Sequence, residues 1–152
     1  MDAIDLEILH ALAISGRMTF AELADKIGLS GPSTADRVRR LEERGAIQGY
    51  RALIDPEAVG LDLTAFVAVS LEAPSYRDRF LDALRSMPAV LECHHVAGDD
   101  DYLLKVRTAG TRGLETFVSE QLKGIAGVAR TRTTIALSSP VERVFVPAEV
   151  QR

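Results

Sequence analysis

Four arginines fall within eight consecutive residues of the N-terminal third: Arg37, Arg39, Arg40 and Arg44. Guanidinium groups hydrogen-bond to phosphate oxygens and to base edges, so a helix that presents them on one face could bind a nucleic acid. Two acids, Glu42 and Glu43, lie among these arginines and a third, Asp36, precedes them. A pair four residues apart, such as Arg39 with Glu43, is also typical of an ordinary solvated helix. The charge pattern alone leaves both interpretations open.

A run of three acids, Asp99–Asp101, follows Gly98, and two histidines, His94 and His95, precede it. Carboxylates beside a glycine are typical of a solvated hairpin turn in which Asp side chains accept backbone hydrogen bonds. A cation site shared with a histidine is the less favoured alternative, because adjacent histidines on a strand point to opposite faces. We therefore predict no metal site here.

Cys93 is the only cysteine, which excludes an intrachain disulfide and a multi-cysteine zinc site. We expect its side chain to be a small buried hydrophobic group. No nucleophile, base and orienting group occur together in a recognisable motif. We predict that the protein is not an enzyme and uses no cofactor.

The composition is that of an ordinary globular protein, with 152 residues, 47% hydrophobic and 26% charged. No apolar run approaches the roughly 18–20 residues that cross a bilayer, and acids stand where a signal peptide carries basic residues. We predict a cytoplasmic protein without membrane contact. The formal charge is −4, of which residues 1–50 and 51–152 each contribute −2, so nucleic-acid binding requires local positive charge.

Three short helices are predicted to position the arginines. The first begins after Asp2, a suitable N-cap, where apolar residues recur at helical spacing. Thr19 and Glu22 form a capping-box pattern for a second helix that ends at Gly28, and Ser30 caps the third, arginine-bearing helix. Two helices joined by a three-residue turn, with a supporting helix before them, predict a helix-turn-helix.

Residues 46–54 alternate as a strand does, and we predict a wing that also serves as a connector. The pair Asp55–Pro56 and then Gly60 break the chain. We place a helix-turn-helix domain at 1–50, a connector at 51–62 and a second domain at 63–152.

The C-terminal two thirds repeat a strand-helix-strand pattern. Strands are predicted at 64–71, 90–96, 102–107 and 128–137, with one amphipathic helix in each half, and the apolar positions of the halves match at an offset of 38 residues. The order β-α-β-β-α-β predicts a ferredoxin-like sheet with both helices on one face, and thus an α+β protein. On the open face we expect one apolar set in each strand, forming a dimer interface.

Four segments carry a more specific pattern: Ile4-Asp5-x-x-Ile8-Leu9; Glu22-Leu23-Ala24 before Gly28-Leu29-Ser30; Arg37-Val38-x-Arg40-Leu41-Glu42-x-x-Gly45-x-Ile47-x-Gly49-Tyr50; and Glu92-Cys93-His94 followed by Gly98-Asp99-x-Asp101-Tyr102. Together with the domain order, they resemble the Lrp/AsnC family, the feast/famine transcription regulators, over nearly the whole chain to about Val146. The resemblance implies a protein that binds double-stranded promoter DNA and dimerises through its C-terminal sheets. It also implies assembly into tetramers or octamers and a response to amino acids at clefts between subunits.

Carried over residue by residue, the resemblance implies DNA contacts from Pro32, Ser33, Arg37 and Arg40. We expect Thr34 and Val38 to pack inward instead. Asp36 departs from the family pattern, in which basic or neutral residues are common. A carboxylate there would repel phosphate or accept a hydrogen bond from the amino group of cytosine.

The effector site implied by the resemblance gathers around the hairpin turn and the last strand. Its expected residues are His95, Gly98, Asp99, Asp101, Tyr102, Thr131, Thr133 and Ile135. Backbone N–H groups of a glycine-containing turn can hold an α-carboxylate, and Asp101 can accept from the α-ammonium. Asp100 stands where a large apolar residue is expected, and three consecutive acids are expected to repel an anionic ligand.

The leading hypothesis is a sequence-specific transcription regulator that is dimeric or a multimer of dimers and is modulated by a small amino-acid-like effector. The alternative is an amino-acid-sensing adaptor whose helical domain binds protein rather than DNA, which the net negative charge of residues 1–50 favours. An enzyme of amino-acid metabolism is a third possibility, with no catalytic motif to support it.

Overall fold

The computed structural model of the protein describes residues 1–142, so the last ten residues of the predicted C-terminal domain lie outside the described part. The chain folds as two compact units, one containing Met1–Leu53 and the other Ile54–Pro140. The first unit contains the helices α1 (Ala3–Ile14), α2 (Phe20–Ile27) and α3 (Gly31–Glu43). The second contains β1 (Leu63–Leu71), α4 (Arg77–Arg85), β2 (Val90–His95), β3 (Tyr102–Thr108), α5 (Gly110–Thr116) and β4 (Val128–Ile135).

Each helix of the first unit begins at the N-cap that the sequence predicts. At α1 the carboxylates of Asp2 and Asp5 each accept the backbone N–H of the other residue. Thr19 and Glu22 form the same reciprocal box at α2, and the hydrogen bond from the Thr19 N–H lowers the pKa of Glu22. The Ser30 hydroxyl caps α3. These caps satisfy donors that the first turn of a helix leaves unpaired.

The turn between α2 and α3 has helix-turn-helix geometry. Gly28 ends α2 in the left-handed region, with φ of 74°, a conformation that favours glycine. Its backbone N–H donates to the carbonyl of Ala24 at 2.9 Å. The three helices enclose one apolar core: Ile8, Ala11, Leu23, Ile27, Val38 and Leu41. The helix-turn-helix prediction is confirmed.

The predicted wing strand is absent. Residues 46–54, all of them described, contain no strand and lead to a short 3₁₀ turn at Glu57–Val59. Ile47 packs against the helical core, but Leu53 and Ile54 are 86% and 68% exposed. Alternation produces a strand where one face is buried beside a pairing strand. Within the described chain, residues 46–54 have neither a buried face nor a pairing strand.

The second unit is a four-stranded sheet in the order β2-β3-β1-β4, with every neighbouring pair antiparallel. This is the ferredoxin-like arrangement, and it confirms the predicted fold class. The register sets Val69 of β1 opposite both Tyr102 and Thr131, and Tyr102 opposite His95. These four residues therefore form one row across the whole sheet.

The helices cover one face of this sheet. Its buried core contains Ala65, Val67, Val69, Phe80, Leu84, Tyr102, Leu104, Val106, Leu114, Phe117, Leu122 and Ile125. The chain continues past α5 as a π-helical turn, Phe117–Leu122, whose first and last residues are both buried. Such a turn shifts the inward face of a helix and here keeps both side chains in the core.

The face without helices is less apolar than the sequence predicts. By register and alternation, its apolar side chains lie at the centre, on Phe66, Ala68 and Leu103. Charged or ionisable side chains surround them: Glu92, His94, Lys105, Arg107, Arg130 and Arg132. The expectation of an apolar set in every strand is wrong for β2 and β4. Both are edge strands, where charged side chains are common because they border solvent.

Candidate nucleic-acid interface and ligand-binding turn

Helix α3 turns Thr34 and Val38 inward, as predicted, with 0% and 1% of each residue exposed. The hydroxyl of Thr34 donates to the carbonyl of Ser30 at 3.0 Å, so its polar atom is satisfied inside the core. Pro32 and Ser33 lie on the exposed side of the first turn. The N-terminal turn of a recognition helix is the part that reaches base edges in this motif.

Arg37 lies on the flank of α3 that faces the start of α1. Its Nη1 donates to Asp2 Oδ2 at 2.8 Å and to Asp5 Oδ1 at 2.7 Å, and 25% of its side chain is exposed. The backbone N–H of Asp5, and then the Arg37 guanidinium, lower the pKa of Asp2, and hydrogen bonds to the two carboxylates raise the pKa of Arg37. We call these three residues the N-terminal ion cluster. It ties the capped end of α1 to the middle of α3.

Asp36 forms a second, more exposed ion cluster on α3. Its carboxylate accepts from Nη2 of Arg39 at 2.6 Å and from Nη2 of Arg40. Arg39 also donates to Glu43 at 3.1 Å, which is the predicted pair four residues apart. The hydrogen bond from Arg39 is the largest cause that lowers the pKa of Asp36. Exposed ion pairs are weak, so these guanidinium groups can exchange Asp36 for a phosphate.

Asp100 is not a solvated turn residue. Its side chain is 7% exposed, and Oδ1 accepts from the hydroxyl of Ser70 at 3.0 Å and from Nη2 of Arg130 at 3.2 Å. Oδ2 accepts from Nη2 of Arg132 at 2.7 Å. The hydrogen bond from Ser70, followed by the two guanidinium charges, lowers the pKa of Asp100. The middle carboxylate of the three acids is therefore paired with two guanidinium groups of the same chain, which reduces the repulsion that we expect the turn to exert on an anionic ligand.

Asp101 and Tyr102 are both engaged inside the second unit. Oδ2 of Asp101 accepts from the backbone N–H of Leu71 at 2.7 Å, and the Asp101 N–H donates to the carbonyl of Val69 at 3.0 Å. Tyr102 is 3% exposed, with its ring centroid 5.0 Å from that of Phe80. Asp101 therefore fastens the turn to β1, and Tyr102 is a core residue of this chain.

The expected effector residues do not form one cluster in the chain. His95, whose ring stacks on Tyr102 at 5.1 Å, occupies one end of the row across the sheet, and Thr131 occupies the other. Three strand spacings separate them by roughly 14 Å, too far for one small ligand to contact both. Gly98 and Asp99 lie at the exposed turn, whereas Thr133 and Ile135 continue along β4.

Cys93, the one cysteine that the sequence singles out, lies at the edge of the sheet. Cys93 is exposed, contrary to the prediction, because the helices do not cover edge strand β2 there. Partial desolvation raises the pKa of its thiol.

Within residues 1–142 no group of three or more His, Cys, Asp or Glu could hold a metal ion. No helix in that range is long and apolar enough to span a bilayer.

Sequence reasoning missed Asp5, Ser70, Arg130 and Arg132 as partners of the candidate site residues. The Arg-Thr-Arg alternation of residues 130–132 was a usable signal, since it places two arginines on one face of a strand. Their contact with a turn some thirty residues away has no local signature in the sequence.

A helix-turn-helix unit with an arginine-bearing recognition helix, followed by a ferredoxin-like unit with a structured turn, defines a DNA-binding regulator with a ligand-binding domain. Two family models match the chain in that order, the AsnC-type helix-turn-helix domain over residues 1–42 and the Lrp/AsnC ligand binding domain over residues 64–145. The chain belongs to the Lrp/AsnC family of transcriptional regulators.

Individual relatives agree with this assignment. The chain is 45% identical over 139 residues to the HTH-type transcriptional regulator LrpA of Mycobacterium tuberculosis, covering 91% of each chain. It is 41% identical over 149 residues to the Bkd operon transcriptional regulator of Pseudomonas aeruginosa, covering 97% of each. Among solved structures, a feast or famine regulatory protein from M. tuberculosis complexed with L-methionine matches with a TM-score of 0.89 and 44% identity, covering 96% of this chain and 99% of that one.

Proposed function

We propose that the protein binds promoter DNA in a sequence-specific manner as a homodimer, or as a tetramer or octamer assembled from such dimers. An amino acid or a related small molecule adjusts that binding. The observation that carries the proposal is helix α3, whose inner side packs into the helix-turn-helix core while its outer side presents arginines. Because the target is promoter DNA, the protein works in the cytoplasm, and it acts by binding rather than by catalysis.

The proposed DNA contacts come from the exposed side and one flank of α3. Pro32 and Ser33 face base edges from the first turn, and Arg40, half exposed, leaves Asp36 to bind a phosphate or a base. The Nη1 group of Arg37 is occupied by the N-terminal ion cluster, but a guanidinium carries further N–H groups on Nε and Nη2. Arg37 therefore holds the helix in position and contacts DNA from its flank.

The proposed effector site contains the turn at Gly98–Tyr102 and, on β4, Thr131, Thr133 and Ile135. One relative of similar structure is complexed with L-methionine, which supports a free amino acid as the ligand class. His95 and Thr131 lie at opposite edges of the sheet in one chain. A site that uses both would draw them from two copies, as a cleft between subunits does.

The open face of the sheet is the proposed dimer surface. Phe66, Ala68 and Leu103 form an apolar centre within a charged rim, which is the usual anatomy of a protein interface. A dimer presents two recognition helices to two half-sites at a fixed spacing. The second contact raises the affinity that one helix-turn-helix domain, net −2 over residues 1–50, lacks alone.

Fluorescence anisotropy tests the DNA role, with a labelled fragment of the protein's own upstream region and a scrambled fragment of equal length. We expect tighter binding to the first fragment and an affinity that falls steeply from about 50 to 200 mM salt. Arg40→Ala should weaken binding about tenfold, and Arg79→Ala, an exposed arginine on α4, should not. If the correctly folded dimer shows no salt-sensitive binding to either fragment, the result would count against the DNA role and favour the adaptor alternative.

A further inference from the structure

Asp36 lies in the middle of the proposed DNA-contacting side of α3. It follows Pro32 by four residues and Ser33 by three, and it precedes Arg40 by four, so the four side chains share one face of the helix. The buried residues of α3 lie on the opposite side, and the Asp36 side chain is 43% exposed. Any orientation that brings Pro32, Ser33 and Arg40 to DNA therefore brings this carboxylate against DNA as well.

The two oxygens of the Asp36 carboxylate have different partners. Oδ1 accepts from Nη2 of Arg39 at 2.6 Å, and Arg39 also donates to Glu43 at 3.1 Å. Oδ2 accepts from Nη2 of Arg40. Arg39, held between two acids of its own helix, orients the carboxylate, whereas Arg40 is the partner that the proposed function moves to a phosphate or a base. Binding to DNA therefore leaves Oδ2 without its donor.

Oδ2 of Asp36 requires a new donor from the DNA, because an unpaired carboxylate oxygen is unfavourable where an interface excludes water. Phosphate oxygens only accept hydrogen bonds, and the donors on base edges in the major groove are the amino groups of cytosine and adenine. The adenine amino group lies beside N7, an acceptor that repels a carboxylate, whereas cytosine presents its N4 amino group alone. The carboxylate of Asp36 therefore matches cytosine.

We propose that Asp36 reads a base: its Oδ2 accepts a hydrogen bond from the N4 amino group of a cytosine in the major groove, while Arg39 holds Oδ1. This role rests on the proposed DNA-binding function and deepens it, because it assigns one position of the target site to one side chain. Where the cytosine is missing, the carboxylate faces phosphates or an acceptor on another base, which disfavours binding. Asp36 therefore contributes specificity by penalising other sequences as well as by binding the matching one.

In vitro selection by the full chain, from a pool of DNA duplexes with a randomised central region, tests this role. We expect the wild type to enrich a motif in which cytosine is preferred at one position of each half-site. Asp36→Asn should change that preference to adenine, because an amide pairs with N6 and N7 of adenine. Asp36→Ala should lose the preference for cytosine, and both variants should keep the preferences at the other positions of the motif.

Affinity measurements then couple the residue to the base. Fluorescence anisotropy compares the selected duplex with one in which the preferred C·G pair is replaced by U·A, which presents the O4 acceptor in place of the amino donor and adds no methyl group. The replacement should weaken binding of the wild type about tenfold and that of Asp36→Ala by less than about twofold. Asp82→Asn is the matched control and should behave as the wild type does. Like Asp36, Asp82 is an exposed helical aspartate that pairs with an arginine three residues further on.

Three results would overturn the role of Asp36 and leave the DNA function standing. Both variants enrich the wild-type motif unchanged at every position; or the position that they alter prefers a base other than cytosine in the wild type; or they change the affinity for both duplexes by the same factor, so that Asp36 acts only through its arginines. If the correctly folded wild type enriches no motif, sequence-specific binding itself fails. Far-UV circular dichroism and sedimentation confirm that each variant folds and assembles, and if one does not, the other variant decides.

Discussion

At the residue scale, aspartates pair with the arginines of this protein and determine which guanidinium groups can bind another molecule. Asp2 and Asp5 both accept hydrogen bonds from Arg37, and the Asp5 side chain is only 11% exposed. Asp100, whose side chain is buried, accepts hydrogen bonds from two further arginines. Asp36, by contrast, pairs with its arginines on an exposed surface. Removing one partner of a shielded pair leaves an unpaired charge, whereas exposed pairs break at little cost. The first two clusters should therefore be structural and the third exchangeable.

Arg37 and Arg40 test this distinction as a matched pair. Arg37→Ala should weaken binding to the upstream DNA about tenfold and lower Tm by roughly 4 °C or more, since it leaves the carboxylates at the start of α1 without their cation. Arg40→Ala should weaken DNA binding to a similar degree with an unchanged Tm. Anisotropy and thermal denaturation of both variants give the answer, and an unchanged Tm for Arg37→Ala would show that the N-terminal ion cluster does not support the fold.

Asp100 predicts a pH dependence with a definite sign. Its pKa is lowered in the folded chain relative to the unfolded value of about 3.9, so its contribution to stability is present above that pH and is lost as pH falls through the folded pKa. We expect Asp100→Asn to have a lower Tm than the wild type at pH 7 and a shallower decline of Tm below about pH 4. Tm curves that stay parallel down to about pH 2 would contradict this.

At the element scale, signals that lie within a few residues predicted the structure well. Ser30 and the Thr19 and Glu22 pair marked helix starts, because capping is a contact between residues three apart. The prediction of a wing strand was wrong because alternation within residues 46–54 does not reveal whether another strand lies beside that segment. The prediction that Asp100 is a solvated turn residue was wrong for the same reason. Its partners Ser70 and Arg132 come from strands that are distant in the sequence, and the Asp side chain alone indicates a solvated turn.

The start of β4 depends on Gly127. Its φ is +91°, and a Cβ there would lie 2.0 Å from Cγ of Tyr76. Gly127→Ala should lower the free energy of unfolding by about 3 kcal/mol, from backbone strain together with overpacking. Gly60→Ala, at φ +74° in open space, is the control and should cost about 1 kcal/mol. If urea denaturation gives equal losses for the two variants, the close approach of Tyr76 is not rigid.

At the scale of the whole molecule, the charge distribution determines how the protein can bind DNA. The chain carries −4 overall, with −2 from residues 1–50 and −2 from residues 51–152, which argues against a uniformly basic surface. In the proposed mode of binding, one short helix provides the contact, and a second copy at a fixed spacing adds the affinity that a single helix lacks. Dimerisation is therefore as important to this account as the recognition helix.

Phe66 tests the proposed dimer surface. It is 38% exposed at the centre of the open face, and Phe66→Asp should separate the subunits because it places a charge in the apolar centre of the contact. DNA affinity should then fall by about tenfold or more, while far-UV circular dichroism stays unchanged. Leu137→Asp, at a residue that is 99% exposed beyond β4, is the control. A Phe66→Asp protein that sediments like the wild type would show that the subunits meet elsewhere.

A gel-shift titration of the protein's own upstream region, with and without each amino acid, tests the central claim most directly. We predict salt-sensitive binding by a dimer or larger assembly, and a change of about fivefold or more in its apparent Kd with at least one amino acid. A correctly folded oligomer that retards no upstream fragment at low salt, and whose migration no amino acid changes, would contradict the account.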